Sequence, residues 1–544
     1  MYFIFLFLET LLTILVLAFI AMTGYEFLTA RGSGKRDECR GAASGDSGEP
    51  ESSAAPVPDN LRNDSDLPAV SVLIPVCNEV LAVKRLVTAV IEIDYPRDRL
   101  EVLVLDDSRD ANAREIRSFV LEKSAGAPFL RYLCRESREG YKAGNIAFGI
   151  RNSRGALIAV FDADAVPEKI FLKATVPCFI RDEKLRAASG GTSGVRPLGF
   201  LQTAISFSNE PENFITRFLG LEVSHKDSMT AGQNRRDEYA SLTGSSCVWR
   251  RECIDAAGGL SSQTLTEDVD LCYRAQLLGW RYEYVTGTST QEELPNTMAA
   301  MRVQRHRWAM GLIGNTFLYF RKVLASDFSA GKKLAAILVM SQSFILSGFY
   351  LILLGCLPAA LAAEHHGVYF NVLCLALLIS VILWAVNTMG IGVRKSPAVL
   401  KDASGAGERE TGGADQGCGD FSGSGERAEE AAGPIERGAL EYFGYVLMYF
   451  PLSLYYFMAL LENILGIRGS FVPTPKRGSP FVRLPRAGAA LLLMECFSLI
   501  YSLIALTVSI INASWWTLLY TSLTAAGFAL ALLLPCFSGR KRRA

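Results

Sequence analysis

The sequence has little of the material from which metal centres and disulfide frameworks are built. Its 544 residues include only 4 histidines, and its 12 cysteines form no Cys-x-x-Cys pair. A histidine-based metal site is therefore not expected, and neither is a small disulfide-braced fold. Four cysteines stand among apolar residues, which predicts buried free thiols in a reducing compartment rather than zinc ligands or disulfides: Cys178, Cys247, Cys253 and Cys272.

The chain also lacks an excess of charge of either sign. It has 55 Lys and Arg against 55 Asp and Glu, so its formal net charge is +0 at pH 7. Without a basic surface field, nucleic acid is not expected as a partner. Apolar sequence is abundant instead, with 50% hydrophobic residues and a mean hydropathy of +0.22. This content indicates a membrane protein with a sizeable soluble part.

Two stretches are poor in large apolar residues, and both are predicted to be linkers. Residues 25–67 and 395–437 are rich in Gly, Ala and Glu. Such a composition cannot bury enough apolar surface to fold. The first is expected to be flexible, and the second is an unusual cytoplasmic insertion to which the sequence assigns no role.

The N-terminal residues form the first of six long apolar runs. Residues 1–22 carry one charge, Glu9, and are long enough to cross a bilayer core of about 30 Å. A signal peptide would need a basic start and a small-residue cleavage site, and neither is clear. We therefore interpret residues 1–24 as a retained membrane helix. Basic residues that follow it place the next segment in the cytoplasm: Arg31, Lys35, Arg36 and Arg40.

The five later runs must be reconciled with two cytoplasmic ends. The soluble region and the basic tail 539–544 are both predicted to be cytoplasmic, so one of the five runs cannot cross. Residues 440–463 are rich in tyrosine and contain Glu441 and Glu462, which favours an interfacial or re-entrant helix within 438–486. The expected result is a multi-pass protein of the plasma or inner membrane with five crossings: one in 1–24, two in 331–394 and two in 487–538.

Residues 68–297 read as alternating strands and helices. Three β-branched and leucine-rich runs suit a buried parallel sheet: Val70–Val76, Leu100–Leu105 and 156–161. Residues 79–91 between the first two are helix-like. The pattern predicts a doubly wound α/β domain, whose ligands bind at the carboxyl ends of the strands.

Acidic side chains stand at those strand ends. Asp106 and Asp107 follow the second strand, where they can accept hydrogen bonds from a base or ribose, or simply cap a turn. Asp162 and Asp164 follow the third strand. They can hold a hard divalent ion against a diphosphate, or they can belong to a solvated loop.

Three further features of the sequence are candidates for a functional site or a membrane contact. Asp268, in Thr266-Glu267-Asp268, can act as a general base or belong to the first turn of a capped helix. Lys142 can contact phosphate or lie on the surface. Residues 298–330 are basic and amphipathic, which predicts helices on the membrane surface.

The order of these motifs resembles the processive family-2 glycosyltransferases, which include cellulose, hyaluronan and plant mannan synthases. It runs from Asp106-Asp107 through Lys142-Ala143-Gly144-Asn145, Asp162-x-Asp164 and Thr266-Glu267-Asp268 to Gln304-x-x-Arg307-Trp308. The strings LTEDVDLCYRAQLLGW and RHRWAMG look most like the plant mannan and xyloglucan-backbone synthases and their bacterial relatives. The resemblance implies a GT-A α/β domain with a mostly parallel sheet, joined to an α-helical transmembrane bundle.

The resemblance also implies roles for the motif residues. Asp106, Asp107, Lys142 and Asp162 would contact the nucleotide sugar, and Asp164 would hold Mg²⁺ or Mn²⁺. Asp268 would be the catalytic base of a single inverting displacement. Gln304, Arg307 and Trp308 would bind the acceptor and the leaving diphosphate. A gating-like loop would close over the donor through Phe471, Thr474 and Lys476. Cys77 departs from the family, since many relatives have an aromatic residue there.

The predicted activity is therefore a membrane-embedded β-glycosyltransferase that uses a UDP- or GDP-sugar, such as UDP-glucose or GDP-mannose. It would extend a polysaccharide and export it through the bilayer. One alternative is transfer of a single sugar to a membrane lipid, giving a glycolipid. Another is a non-catalytic scaffold or transporter whose α/β domain only binds nucleotide.

Overall fold

The computed structural model describes residues 2–31, 67–109, 111–188, 196–361, 439–467, 469 and 486–538. Several predicted features lie outside these ranges. They are most of the first linker, the apolar run 368–393, the insertion 395–437, the gating-like residues Phe471, Thr474 and Lys476, and the basic tail.

An eight-stranded sheet forms the centre of the soluble part. Its order is β3-β2-β1-β4-β7-β6-β8-β5. The first four strands in this order are parallel, whereas β7 runs antiparallel to both of its neighbours. The predicted α/β class is confirmed, with a parallel half and a mixed half. The strands are β1 (Val70–Val76), β2 (Leu100–Asp106), β3 (Leu130–Cys134), β4 (Leu157–Val160), β5 (Val166–Pro167), β6 (Leu198–Phe207), β7 (Cys247–Arg250) and β8 (Arg281–Glu292).

The parallel half is stabilised by apolar burial on both faces. Every residue of β1 and of β4 is buried, as the continuous apolar runs predict. The helix expected at residues 79–91 spans Val80–Ile91. It buries Val83, Leu86, Val87 and Val90 completely, because their spacing places them on one helical face. Each such side chain contributes about 1.5–3 kcal/mol when buried.

Among the described residues of the soluble part, seven helices and one 3₁₀ turn accompany the strands. The 3₁₀ turn spans Glu210–Glu212. The four predicted apolar cysteines are buried and free within this part of the chain. In chain order after the N-terminal helix α1 (Tyr2–Arg31), the helices are α2 (Val80–Ile91), α3 (Ala111–Ser124), α4 (Tyr141–Arg151), α5 (Phe171–Ala188), α6 (Phe214–Arg235), α7 (Arg251–Ala256) and α8 (Glu267–Leu277).

The remaining helices are long and mostly apolar. They are α9 (Met298–Ala325), α10 (Ala330–Leu361), α11 (Ala439–Ile464), α12 (Arg486–Ile511) and α13 (Trp515–Ser538). Within the described residues, four stretches are long and apolar enough to cross a membrane: Ala330–Leu361, Leu440–Ile464, Ala489–Ile511 and Thr517–Pro535. Residues 439–464 form one uninterrupted helix, and its interfacial or re-entrant placement stays a prediction.

The predicted start of the first linker is wrong. Helix α1 continues to Arg31, so residues 25–31 are helical. The segment packs on α6 and on the loop that follows it. Gln233 Nε2 of α6 donates to Tyr25 at 3.1 Å, and Tyr25 donates to Glu238 Oε2, just after the helix, at 2.8 Å. Contact is so close at Gly232 that a Cβ there would lie 2.3 Å from the carbonyl oxygen of Thr29.

A buried ion pair, not anticipated from the sequence, joins α9 to the apolar helices. Arg302 donates through Nε and Nη2 to the two carboxylate oxygens of Glu495, both at 2.6 Å. Tyr455 also donates to Glu495. The side chains of the ion pair are 4% and 0% exposed, so each charge depends on the other for its stabilisation.

We expect Glu495→Gln to lower the stability of the protein by about 3–5 kcal/mol, because Arg302 would be left buried without a counter-charge. Thermal unfolding of the detergent-purified chain measures this. Glu92→Gln is the matched control, since Glu92 and Lys169 form an exposed pair, and solvent screens such pairs so that their loss changes stability little. Replacing Arg302 and Glu495 together by Leu should recover most of the loss. Equal midpoints for Glu495→Gln and Glu92→Gln would contradict the prediction.

Candidate active site

The predicted carboxylates at the end of β2 are buried and engaged with protein groups. Asp106 accepts from the Ser108 backbone N–H at 2.8 Å and from the Tyr132 hydroxyl at 2.9 Å. Asp107 accepts a two-pronged contact from Arg135, with Nε–Oδ1 at 2.8 Å and Nη2–Oδ2 at 2.7 Å. The sequence did not reveal Tyr132 or Arg135, because neither lies in a recognisable motif.

Lys142 is not a surface lysine, because it joins the second and third acidic motifs. Its Nζ lies 2.6 Å from Asp162 Oδ1 and 3.5 Å from Glu267 Oε1, and it donates to the Gly244 carbonyl at 3.4 Å. Burial alone would lower the pKa of Lys142, but the two carboxylates outweigh it and hold that pKa above its usual value. A cation thus stands between carboxylates that lie far apart in sequence.

Asp268 lies in the first turn of α8 and has an altered acidity. Burial, followed by the adjacent Glu267 carboxylate, raises the pKa of Asp268 to about 6, while Lys142 and Lys226 oppose the rise. A carboxylate with a pKa in this range can take up a proton near neutral pH, as a general base must. The geometry is compatible with the predicted catalytic role.

Gly244 allows the backbone of its loop to approach Asp268 closely. Gly244 has φ +78°, and a Cβ on it would lie 2.8 Å from Asp268 Oδ2. Gln202 holds this loop, since its Nε2 donates to the Ser245 carbonyl at 3.0 Å and its Oε1 accepts from the Thr243 hydroxyl at 3.0 Å. Gln202 and the loop of residues 243–246 therefore shape one wall of the site.

The predicted hydroxyl cap of α8 is not made. Thr266 makes no side-chain cap, and its hydroxyl instead accepts from Asn315 Nδ2 of α9 at 2.9 Å. The helices touch at Gly311, where a Cβ would lie 2.4 Å from Thr266 Oγ1. Thr266, two positions before Asp268, is thereby fixed to α9, the helix that carries Arg307 and Trp308.

We expect Gly311→Ala to separate α8 from α9, destabilise the protein by about 1–3 kcal/mol through overpacking and reduce sugar transfer. Thermal unfolding and a transfer assay measure the two effects. Gly331→Ala is the matched control, since no atom lies within 4 Å of a Cβ placed there. Full stability and activity in Gly311→Ala would show that the two helices tolerate separation.

The predicted acceptor residues lie on α9, where the spacing of Gln304, Arg307 and Trp308 places them on one face. Burial lowers the pKa of Arg307, and the carboxylates of Glu267, Asp162 and Asp268 oppose that shift, in this order. The structure therefore brings the Arg307 guanidinium into the electrostatic environment of the acidic motifs. Gln304 is half-buried.

Trp308 has a neighbour that sequence reasoning missed. The Arg305 guanidinium lies 5.0 Å from the centre of the Trp308 ring. Arg305 forms an ion pair with Glu222 of α6, and Glu222 accepts from the Tyr449 hydroxyl of α11 at 3.0 Å. Arg305 lies within the basic motif Gln304–Trp308, so the sequence pointed to it, but only the fold shows that its partner is Glu222.

A cavity of about 220 Å³ lies where α1, α6, α9, α10 and α11 meet. Its polar lining includes Glu222, Lys226, Arg305 and Tyr456. Lys226 also acts electrostatically on Asp268. The rest of the lining is largely apolar and aromatic, and an apolar space with a few polar groups is typical of ligand-binding cavities.

The carboxylates after β4 fit a metal that is shared with a ligand. Among the described residues no group of three or more His, Cys, Asp or Glu side chains is arranged to hold a metal ion. Asp164 is 2% exposed, and its Oδ2 accepts from the Glu293 backbone N–H at 3.0 Å. Mg²⁺ is usually held by one or two carboxylates together with substrate phosphates. Asp162 and Asp164 offer such a pair, not a closed cage.

Comparisons with known proteins agree with the motif order. Residues 68–311 match a family model described as glycosyltransferase like family 2. The chain is similar to a probable glucomannan 4-beta-mannosyltransferase from Oryza sativa subsp. japonica, with 35% identity over 250 residues, 45% of this chain and 41% of that protein. A glucomannan 4-beta-mannosyltransferase from Arabidopsis thaliana is 31% identical over 259 residues, 46% of either chain.

The sequence matches cover only part of each relative. The chain matches less than half the length of these curated relatives. A mannosyltransferase from Pyrobaculum calidifontis, solved with GDP-Man and Mn²⁺, covers 73% of this chain and 99% of its own at 18% identity, with a TM-score of 0.48. Residues 68–311 thus match glycosyltransferase family 2, as the motif order predicts, and are similar to glucomannan mannosyltransferases.

Proposed function

We propose that the chain is a membrane-embedded, inverting β-glycosyltransferase that transfers a hexose from a nucleotide diphosphate sugar. The observation that carries this is the Asp268 carboxylate, whose pKa is raised to about 6, within a group formed by Lys142, Asp162 and Glu267. The proposed donor is UDP-glucose or GDP-mannose, and the names of the relatives, which are glucomannan mannosyltransferases, support mannose as the sugar.

In the proposed reaction, Asp268 takes the proton of an acceptor hydroxyl. The hydroxyl oxygen forms a bond to the anomeric carbon as the bond from that carbon to the diphosphate breaks, so an α-linked donor yields a β-linkage. Arg307 contributes positive charge where the diphosphate departs. Asp162 and Asp164 would hold a divalent ion, which would neutralise the diphosphate.

The acceptor is proposed to lie against Gln304 and Trp308, since an aromatic ring suits the apolar face of a sugar. The cavity between α6, α9 and α11 provides space for further sugar units. Asp106, Asp107 and Lys142 would lie along the nucleotide. Phe471, Thr474 and Lys476 lie outside the described residues, and their closure over the donor stays a prediction.

A donor screen with product sizing tests the proposal. Purified protein in lipid nanodiscs would be incubated with Mg²⁺ or Mn²⁺ and with labelled UDP-glucose, GDP-mannose or UDP-N-acetylglucosamine, and nucleotide release would be measured. A ladder of chains supports polymer synthesis and export, whereas one mobile glycolipid supports the alternative of single transfer to a lipid. Nucleotide binding without turnover of any donor would contradict both and leave a binding scaffold.

The proposed topology has five crossings, with the α/β domain in the cytoplasm. A cleavable reporter inserted within residues 466–480 is expected to be reached only from the cytoplasmic side. Its control is the same reporter between α12 and α13, which should be reached only from outside. Access to the first reporter from outside would contradict the arrangement.

A further inference from the structure

The cavity of about 220 Å³ beside α6 has a polar side and an apolar side. Helices α6 and α9 contribute charged side chains to its lining, whereas α1 and α10 contribute mainly apolar ones. Helix α10 is long and apolar enough to cross a membrane, so the bilayer would surround this apolar side. The apolar lining includes Phe19 and Met22 of α1 and Leu338, Ile345 and Phe349 of α10.

Lys226 connects the polar side of the cavity to the active site. It is a lining residue with an exposed side chain. Burial nevertheless lowers the pKa of Lys226, and the carboxylates of Asp268 and Asp227 oppose that shift. The ammonium is therefore enclosed by the protein while its surface is open to the cavity. A ligand that reaches Lys226 has its polar group close to the candidate base.

Two further side chains on the polar side are only partly satisfied. His225 Nε2 lies 3.2 Å from Glu26 Oε2, and Arg305 forms its ion pair with Glu222. His225 and Arg305 are each 8% exposed. His225 Nδ1 and Arg305 Nε are buried with no hydrogen-bond partner within the described ranges. A buried polar nitrogen without a partner is costly, so a ligand that bonds with these nitrogens would be stabilised.

The polar side offers hydrogen-bond acceptors as well as donors. The carboxylates of Glu26 and Glu222 line the same cavity, and Gln342 donates to Glu26 Oε1 at 3.2 Å. A hydroxyl group both donates and accepts, so it can bond with either kind of group. An anionic phosphate would meet two carboxylates of its own sign. The polar side therefore fits a neutral group that carries hydroxyls.

Neither a purely polar nor a purely apolar ligand satisfies the whole cavity. Sugar units alone would turn hydroxyls toward the apolar side, where a buried hydroxyl without a partner is costly. A hydrocarbon alone would cover Lys226 and the unpartnered nitrogens without bonding to them. A molecule with a neutral sugar headgroup and a hydrocarbon tail matches both sides.

We propose that this cavity binds a neutral glycolipid of the membrane, whose headgroup accepts the first sugar. The inference rests on the proposed function, because it names the molecule on which that transfer begins. A headgroup hydroxyl gives its proton to Asp268, and its oxygen bonds to the anomeric carbon of the donor. The bond from that carbon to the diphosphate breaks, and its electron pair leaves with the diphosphate. Later sugars are added to the first, so the polymer begins on a lipid.

Four matched probes test which part of such a primer the cavity recognises. The purified full chain would be placed in phosphatidylcholine nanodiscs with Mg²⁺ or Mn²⁺ and labelled GDP-mannose or UDP-glucose. Hexadecyl β-glucoside, glucose, hexadecanol or hexadecyl phosphate would be added at one concentration. The glucoside should raise the initial rate about 10-fold over glucose, because burial of only two CH₂ groups supplies such a factor. The first labelled product should extract into butanol.

Larger side chains on the apolar side test the location of the site. Leu346→Trp and Val339→Trp each enlarge a half-buried lining residue of α10, and either should remove the response to the glucoside. Leu334→Trp is the matched control, because Leu334 lies on the same helix, outside the lining, and is 56% exposed. It should respond as the native chain does. Binding of GDP and UDP checks that each variant is folded, and the second lining variant covers the loss of the first.

Four results would overturn the primer while leaving the proposed function intact. One is donor turnover at the same rate with and without the glucoside. Another is an equal response to hexadecanol or hexadecyl phosphate, which would exclude recognition of a neutral sugar headgroup. A faster reaction whose label never enters butanol would exclude the glucoside as acceptor. A full response in both lining variants would place the site elsewhere. Absence of turnover with every donor and every probe would instead overturn the proposed function.

Discussion

Asp268→Asn is expected to reduce sugar transfer by about 10²- to 10⁴-fold, the range that a positioned general base contributes. Asn has nearly the same shape as Asp but cannot accept the proton of the acceptor hydroxyl. Nucleotide binding should persist, because Asp268 is not among the residues assigned to the nucleotide. A transfer assay paired with a GDP and UDP binding assay measures both properties.

The pH dependence provides an independent check. Since the base must be ionised, activity should fall as pH decreases through about 6, the value to which burial and Glu267 raise the pKa of Asp268. The raised pKa of Asp268 also makes the stability of the fold depend on pH. The stabilising contribution of Asp268 is fully present below its unfolded pKa of about 3.9 and is lost as pH rises through its folded pKa of about 6. Asp268→Asn should therefore unfold at a higher temperature than the native chain at pH 7.5.

The control for this variant is Asp270→Asn, on the same helix turn but facing away from the site. Asp270 accepts from Arg274 Nε at 3.0 Å and from the Tyr319 hydroxyl at 2.6 Å. Its replacement should lower stability rather than raise it, and should not move the acidic limb of the pH profile. Retained turnover in Asp268→Asn would refute the assignment of the base.

Lys142→Met is expected to have the second largest effect. It would leave Asp162 and Glu267 close together without the cation between them. The Lys142–Asp162 pair is partly buried, with side chains 17% and 34% exposed, so we expect a loss of stability between that of an exposed pair and the roughly 3–5 kcal/mol of a fully buried one. The like charges would also raise the pKa of Asp268 further, because Lys142 now opposes that rise. Activity should fall and its acidic limb should move to higher pH.

Unfolding temperature and a pH profile of transfer measure these changes. Lys173→Met is the control, since Lys173 and Asp94 form a pair with side chains 49% and 56% exposed, and such pairs contribute about 0–1 kcal/mol. Adding Asp162→Asn to Lys142→Met should recover part of the stability but not the activity. A Lys142→Met variant as stable as Lys173→Met would contradict the buried arrangement.

The sequence predicted the strands that are recognisable from a single short stretch of residues. β1, β2 and β4 are continuous apolar runs because both faces of a central parallel strand are covered, and this pattern is visible in the letters alone. The antiparallel insertion of β7 between β4 and β6 was not predicted. Strand pairing between distant segments depends on packing that no short stretch encodes.

The candidate site shows the same division. The acidic motifs and α9 were predicted, because the resemblance rests on particular residue types that follow one another in a fixed order along the chain. The partners of these residues were not: Arg135 on Asp107, Glu222 on Arg305 and Asn315 on Thr266. Each joins segments that are distant in sequence, so only the folded chain reveals it.

The tie between Thr266 and Asn315 has a consequence for how a long product would grow. Asn315 lies on the same helix as Arg302, and that helix is joined through Glu495 to α12. If Asp268 is the base, as proposed, this tie would hold it at a constant height above the bilayer during the cycle. Every new bond would then form at one level, and the protein could not advance along a polymeric product. Under the proposed function the product would have to be displaced by one sugar after each addition, so elongation and movement into the membrane would be the same event.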